Sequence, residues 1–189
     1  MSLEIGQLEI VNWHTAFESP ANKQAFVDEA NLAGIPCGMI GVTLEEIDNF
    51  AQAYALRSWT GQVVGMTACK WIKSETQMFV RDSGSITMKL MPTATIGSTV
   101  LIKYKGNNLA LPMVAHATAA GFSGGAEICV ARSASPSCVK AYEKLGYTFG
   151  GTNDDGKHNL AIAKDAWNVN PPNIVRIDPP TFTDGGKYD

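Results

Sequence analysis

The chain has 189 residues, 45% of them apolar, and a formal net charge of −3. That length suits one full hydrophobic core with a small appendage. The mild acidity excludes a bulk pull toward nucleic acid or anionic membrane and leaves only a local basic strip open.

No apolar run reaches the roughly 20 residues of a membrane-spanning helix, and no basic segment followed by an apolar stretch marks a secretory leader. Cys37, Cys69, Cys129 and Cys138 are widely spaced, with no CxxC pair, and Cys129 and Cys138 sit in apolar segments. They read as reduced core thiols of a cytoplasmic protein, not as a disulfide framework or zinc site.

In chain order, residues 6–12 fit a first strand, and Ser19-Pro20 opens a helix. That helix carries Phe26, Val27, Ala30 and Ala33 on one face and closes at Gly34. Residues 35–41 read as a loop of unusual apolar content. Thr43 with Glu46 forms a capping box, and Val42 with Ile47 a hydrophobic staple. The helix they start is expected to carry Leu44, Ile47, Phe50, Ala51 and Tyr54 as its apolar stripe.

Tyr54 to Trp59 and Val63 to Ile72 form a hairpin about Thr60-Gly61. Residues 73–96 give no regular pattern, only strand pieces at Phe79-Val80 and Ile86–Met91 around a turn at Arg81–Gly84. Thr99 to Lys103 reads as a buried strand, Gly106-Asn107-Asn108 as a turn, and Leu109 to Ala120 as a helix ending near Gly121. Pro112 lies early in that helix, where it removes one N–H. Ala126 to Ala131 is the next apolar strand.

The best-defined helix is Ser135 to Gly146. Ser135 can cap its first amides, Pro136 suits the first helical position, and Gly146 suits a left-handed stop. Val139, Tyr142 and Leu145 share its apolar face with Cys138 and Ala141 beside them. A closing hairpin runs from Tyr147 through Asp155-Gly156 to Ala163. From Asn168 onward, Pro and Gly dominate, so the tail is expected to lie extended on the body or on a partner, or to be disordered. Trp13, Trp59, Trp71 and Trp167 read as core or edge packing, and His116 as a packed helix residue.

This order of elements, with three local patterns, resembles the GNAT superfamily of acyl-CoA-dependent N-acyltransferases. The first pattern is Ser135, Cys138 and Tyr142-Glu143-Lys144-Leu145-Gly146-Tyr147, similar to the family's Asn, Ala, Tyr and Lys-x-Gly-Phe. The second is Lys103-Tyr104-Lys105-Gly106-Asn107-Asn108-Leu109-Ala110, similar to the family's Gly-rich turn between strand and helix. The third is Thr60-Gly61-Gln62-Val63-Val64-Gly65, like the family's Asp-Gly-x-Ile-Val-Gly hairpin. The resemblance as a whole covers roughly residues 6–165.

The resemblance implies a mixed α/β fold of order β-α-α-β-β-β-α-β-α-β-β: a central, mostly antiparallel sheet flanked by helices over residues 1–167, with a separate tail over 168–189. It further implies transfer of acetyl from acetyl-CoA to a primary amine of a small molecule or peptide. The amine attacks directly in a ternary complex without a metal, and a homodimer is compatible.

Ile102, Lys103, Tyr104, Lys105, Gly106, Asn107, Asn108 and Ser135 would bind the coenzyme. Backbone N–H groups at such a turn and a helix dipole together favour a pyrophosphate. The same turn can also be an ordinary strand–helix connection with solvated lysines. Tyr142 would protonate the leaving thiolate, or it is simply a core tyrosine bonded to backbone. A phenol of pKa about 10 can serve a thiol of pKa about 8.5 without being ionised at rest.

No carboxylate lies in Thr99–Lys103, where many relatives keep a base. Glu75, Asp82 and His158 lie elsewhere, and no general base is assigned. Substrate selection would fall to residues 35–41 and 150–159. Two other readings stay open: a GNAT-fold modifier of a nucleobase or protein group, and a non-catalytic binding module.

Overall fold

The computed structural model describes residues 2–32, 42–101, 104, 106–134, 136–152 and 158–178. In chain order the elements are β1 (Gln7–Asn12), α1 (Pro20–Leu32), α2 (Leu44–Asp48), β2 (Gln52–Ser58), β3 (Val63–Val80) and β4 (Ile86–Val100). They continue with α3 (Ala110–Ser123), β5 (Ile128–Ala134), α4 (Pro136–Lys144), β6 (Thr148–Thr152), β7 (His158–Ala163) and β8 (Ile174–Arg176). One sheet carries all eight strands in the order β6-β7-β5-β4-β3-β2-β1-β8. Neighbours are antiparallel except β4 and β5, which run parallel and are joined across α3.

Local chemistry explains the helix starts. Ser19 Oγ accepts from Asn22 N at 3.4 Å. At Thr43 both halves of the capping box form, Glu46 N to Thr43 Oγ1 at 3.2 Å and Thr43 N to Glu46 Oε2 at 2.9 Å. α2 is nevertheless a single short turn ending at Asp48. The predicted stripe is therefore corrected: Phe50 and Ala51 lie beyond the helix and Tyr54 belongs to β2, whose pairing with β3 captures the chain from Gln52 onward.

Strand alternation sorts the core into two sides. A Cβ on Gly65 would sit 3.1 Å from Met113 Cε, and the Tyr54 ring lies 5.4 Å from His116, so these positions face α3. Ala53, Ala55, Val64 and Met66 alternate with them and join Phe26, Val27 and Ile47 in one buried cluster. A second cluster unites Ala94 and Ile96 of β4 with Val114, Ala117 and Phe122 of α3, Cys138 and Tyr142 of α4, and Leu145 just after it. α3 seats very close to the sheet. A Cβ on Gly121 would come within 2.9 Å of both Ala94 Cβ and Cys129 Sγ.

Two expectations are revised, and of the alternatives for the tail the described part takes the extended one on the body. Residues 73–96 are a regular hairpin, paired from Lys73↔Thr93 out to Val80↔Ile86 around the predicted turn. The tail contributes β8, which pairs with β1, and Ile177 N continues the contact to Gly6 O at 2.8 Å. His116 Nε2 holds this segment at Pro172 O, 2.7 Å away. Cys69 and Cys129 are free and buried. Cys138, however, is disulfide-bonded, which corrects the reading of four reduced thiols.

Candidate active site

β4 and β5 pair only from Thr93↔Ile128 to Thr95↔Val130. β4 then runs on to Val100 and β5 to Ala134, so the two strands part. Beyond Thr95 the β4 edge has no ladder partner on the β5 side among the described residues, and its backbone polar groups there need another one. On this free stretch Thr99 is 3% exposed and its hydroxyl has no hydrogen-bond partner. An orphaned hydroxyl beside an unpaired strand edge marks where a polar chain can add.

Tyr142 sits at the opening from the helical side. α4 ends at Lys144 in a Schellman arrangement, with Tyr147 N to Tyr142 O at 3.1 Å and Gly146 N to Glu143 O at 2.9 Å. Gly146 takes the positive φ of 96° that this stop requires. The stop stacks the Tyr142 and Tyr147 rings edge to face at 5.0 Å. Tyr142 is 2% exposed, and its phenol hydrogen-bonds Ser98 of β4. Burial pushes this phenol well above its ordinary value of 10.0, against a smaller opposing effect of the Ser98 bond. It therefore stays protonated through the neutral range. Tyr147 is raised the same way, and its hydroxyl lies 2.6 Å from Thr118 Oγ1.

Ser98 faces the helices, so Thr95 and Thr99 turn to the other side of the sheet by strand alternation. There Arg132 of β5 reaches Thr95 Oγ1 at 3.3 Å and makes a close ion pair with Glu75 of β3. A cation, a carboxylate and a hydroxyl thus meet where β4 and β5 separate. This group was invisible in the sequence because Glu75 and Arg132 are 57 residues apart, and Glu75 lay in the segment without a readable pattern. Ser98 was also missed. It lies just before the strand expected from Thr99, and only the structure places it within β4.

The turn after β4 is built as its residues suggest. Gly106 has φ 83° and Asn108 φ 55°, a conformation Asn tolerates better than most side chains. Asn107 Nδ2 braces the turn on Tyr104 O at 3.0 Å. α3 begins at Ala110 with Leu109 as its cap and no side-chain cap bond. Its first amides are therefore not satisfied by a capping side chain. Pro112 falls within the first turn, where its missing N–H costs no helical bond. Tyr104 is 2% exposed and belongs to the core, so only its backbone can serve the turn. Ile102, Lys103, Lys105 and Ser135 lie outside the described residues.

So do residues 33–41 and 153–157, the bulk of the two predicted selectivity segments. At the edge of the second, His158 packs its ring 5.3 Å from Phe149, and its buried Nδ1 has no partner. Two clefts open elsewhere among the described residues. One lies between α1 and the β2–β3 turn and is lined by Phe17, Phe26, Arg57 and Gln62, and the other lies beside α3, lined by Tyr54, Cys69 and His116. Neither is lined by Tyr142. Among the described residues no cluster of three metal-ligating side chains forms, and no helix is long and apolar enough to cross a membrane.

No protein-family model and no curated protein matches the chain by sequence. Solved structures do match in shape. The chain is similar to the GNAT domain of S. lividans PAT, at 13% identity and a TM-score of 0.53, over 82% of this chain and 89% of that one. A GCN5-related N-acetyltransferase from Kribbella flavida matches at 12% identity and 0.53, over 82% and 97%. The yncA protein of Salmonella typhimurium, solved with its cofactor acetyl-CoA, matches at 13% and 0.51, over 94% and 98%. The chain has the GNAT fold, a mixed α/β sheet flanked by helices.

Proposed function

We propose that the protein is an acyl-CoA-dependent N-acyltransferase, with acetyl-CoA as donor and a primary amine as acceptor. The observation that carries this reading is the parting of β4 and β5 with the Tyr142 phenol held at Ser98 beside it. The likeness in fold to acetyltransferases supports it.

The residues present fit the donor. The free β4 edge from Ile96 to Val100 and the unpartnered Thr99 hydroxyl suit an amide-containing chain. The start of α3, with left-handed Gly106 and Asn108 before it, suits a pyrophosphate. Lys103 and Lys105 would add positive charge.

The donor supplies a thioester carbonyl to the attacking amine. The new C–N bond forms as the C–S bond breaks, and the amine's surplus proton passes to solvent. Tyr142, kept neutral by burial, can donate a hydrogen bond and then its proton to the departing sulfur, and it regains a proton from solvent in exchange for the one the amine releases. Ser98 is a positioning residue that orients the phenol. Backbone N–H groups on the free β4 edge would stabilise the developing oxyanion. Arg132 and Glu75 would face the acceptor from the opposite side of the sheet.

In steady-state assays across a panel of amines, Tyr142→Phe should lower kcat by about 100-fold or more while leaving donor binding nearly intact. Ser98→Ala should reduce kcat less and leave KM for the donor unchanged. An unaltered kcat in Tyr142→Phe removes the residue from the mechanism.

A further inference from the structure

Outside the body of the sheet, β3 and β4 continue as a two-stranded ribbon. From Thr76 to Val80 and from Ile86 to Leu90 they pair only with each other among the described pairings. Register places Val80 opposite Ile86, Met78 opposite Met88 and Thr76 opposite Leu90 on one face. The five apolar side chains of that face are between 61% and 66% exposed. The charged residues of the strands, Lys73, Glu75 and Lys89, alternate to the other face, and Arg81 and Asp82 sit in the tip. The result is an uncharged apolar face on a ribbon that no described helix covers. A two-stranded ribbon of this kind is at best marginally stable in water unless something packs on it.

We infer that this face is covered by the same face of a second copy of the chain, in a two-fold contact centred on the Met78–Met88 pair. Area favours it. At the observed exposures these five residues present at most about 600 Å² per copy, so complete cover would bury about 1,200 Å² in total, the lower edge of specific interfaces. Chemistry favours it too. A two-fold axis sets each apolar side chain against another, buries no charge, and needs nothing beyond the chain itself. Methionine, on both strands at the centre, meshes easily with its own kind. A lipid surface is less suited, because Asp82 accompanies Arg81 at the tip and the chain is net acidic. The segment 179–189 offers only Phe182 and Tyr188 as large apolar side chains, too few to cover five.

Sedimentation velocity of the full chain, from low to high micromolar, should give a species of about twice the 20.2 kDa chain mass. Met88→Glu places a charge at the centre of the contact and should weaken self-association by at least about 100-fold; Met78→Lys should do the same. Both residues are over 60% exposed, so the folded monomer should keep its far-ultraviolet circular dichroism and thermal midpoint. Lys89→Ala, on the opposite face, should leave the dimer intact. The inference is overturned by a wild type that stays monomeric throughout, by a dimer that Met88→Glu does not weaken, or by a monomer that binds neutral phosphatidylcholine vesicles through this face.

Discussion

β3 and β4 live in two different environments along their length. Near Cys69 and Ile96 they are sealed under α3 and α4, with Ile96 at 3% exposure. Farther out, the same two strands carry Ile86 at 61% and Met88 at 65%. The backbone pairing is antiparallel in both parts, so hydrogen bonding does not distinguish them. What distinguishes them is cover. In the body the helices bury the apolar face and leave polar groups such as Ser98 and Thr99 at the point where β4 and β5 part. In the arm the apolar face is bare and the only chemistry it offers is association.

Two isoleucines of β4 break this comparison most directly. Ile96→Ala should cost about 2–5 kcal/mol in urea unfolding, because it leaves a cavity under α3. Ile86→Ala, measured dilute enough for the monomer, should stay within about 0.5 kcal/mol. Similar losses at both would mean that the arm is buried within the monomer. The close seat of α3 comes next: Gly121→Val must displace Ala94 or Cys129, which predicts a loss of about 1–3 kcal/mol.

A smaller effect is expected at the turn before α3. Asn108→Val should cost about 1–2 kcal/mol for its left-handed backbone, whereas Asn108→Gly should be nearly neutral. If Val is accepted without loss, the turn does not hold that conformation.

A pH slope confined to the body is expected as well. Burial pushes the Cys69 thiol from 9.0 up to about 11. The folded state thus holds this proton more tightly than the unfolded state does. The associated stability is present below pH 9 and lost as pH rises toward 11. Tyr142 and Tyr147, also raised by burial, extend the loss beyond pH 10. Burial also raises Cys129 from the same ordinary value of 9.0, so denaturant midpoints should fall across this alkaline window and Cys69→Ala should reduce, without abolishing, the slope in its lower part.

Much of the body was legible because its signals are local. The capping box at Thr43, the Gly61 turn and the Pro136–Gly146 helix each need only a few neighbouring residues. The arm was legible only in pieces: Ile86–Leu90 alternates cleanly, but Met78-Phe79-Val80 runs apolar without a break and hides the period of its strand. Residues 76–80 and 86–90 interleave Gln, Thr and Lys with large apolar side chains and hold their form through pairing across the turn. The short reach of α2 and the strand in the tail depend on β2 and β1, which no local pattern encodes. The same holds for the candidate site. Tyr142 could be picked from its helix, but its partner Ser98 is 44 residues away, and the Glu75–Arg132 pair joins strands that only the sheet brings together.

The claim that these elements form an acyl-transfer site is tested most directly by titrating the intact protein with acetyl-CoA in a calorimeter. Saturable one-to-one binding, retained in Tyr142→Phe while its amine-dependent release of free coenzyme thiol collapses, is the predicted result. No heat of binding up to millimolar acetyl-CoA would contradict it and leave a GNAT-shaped module without the chemistry.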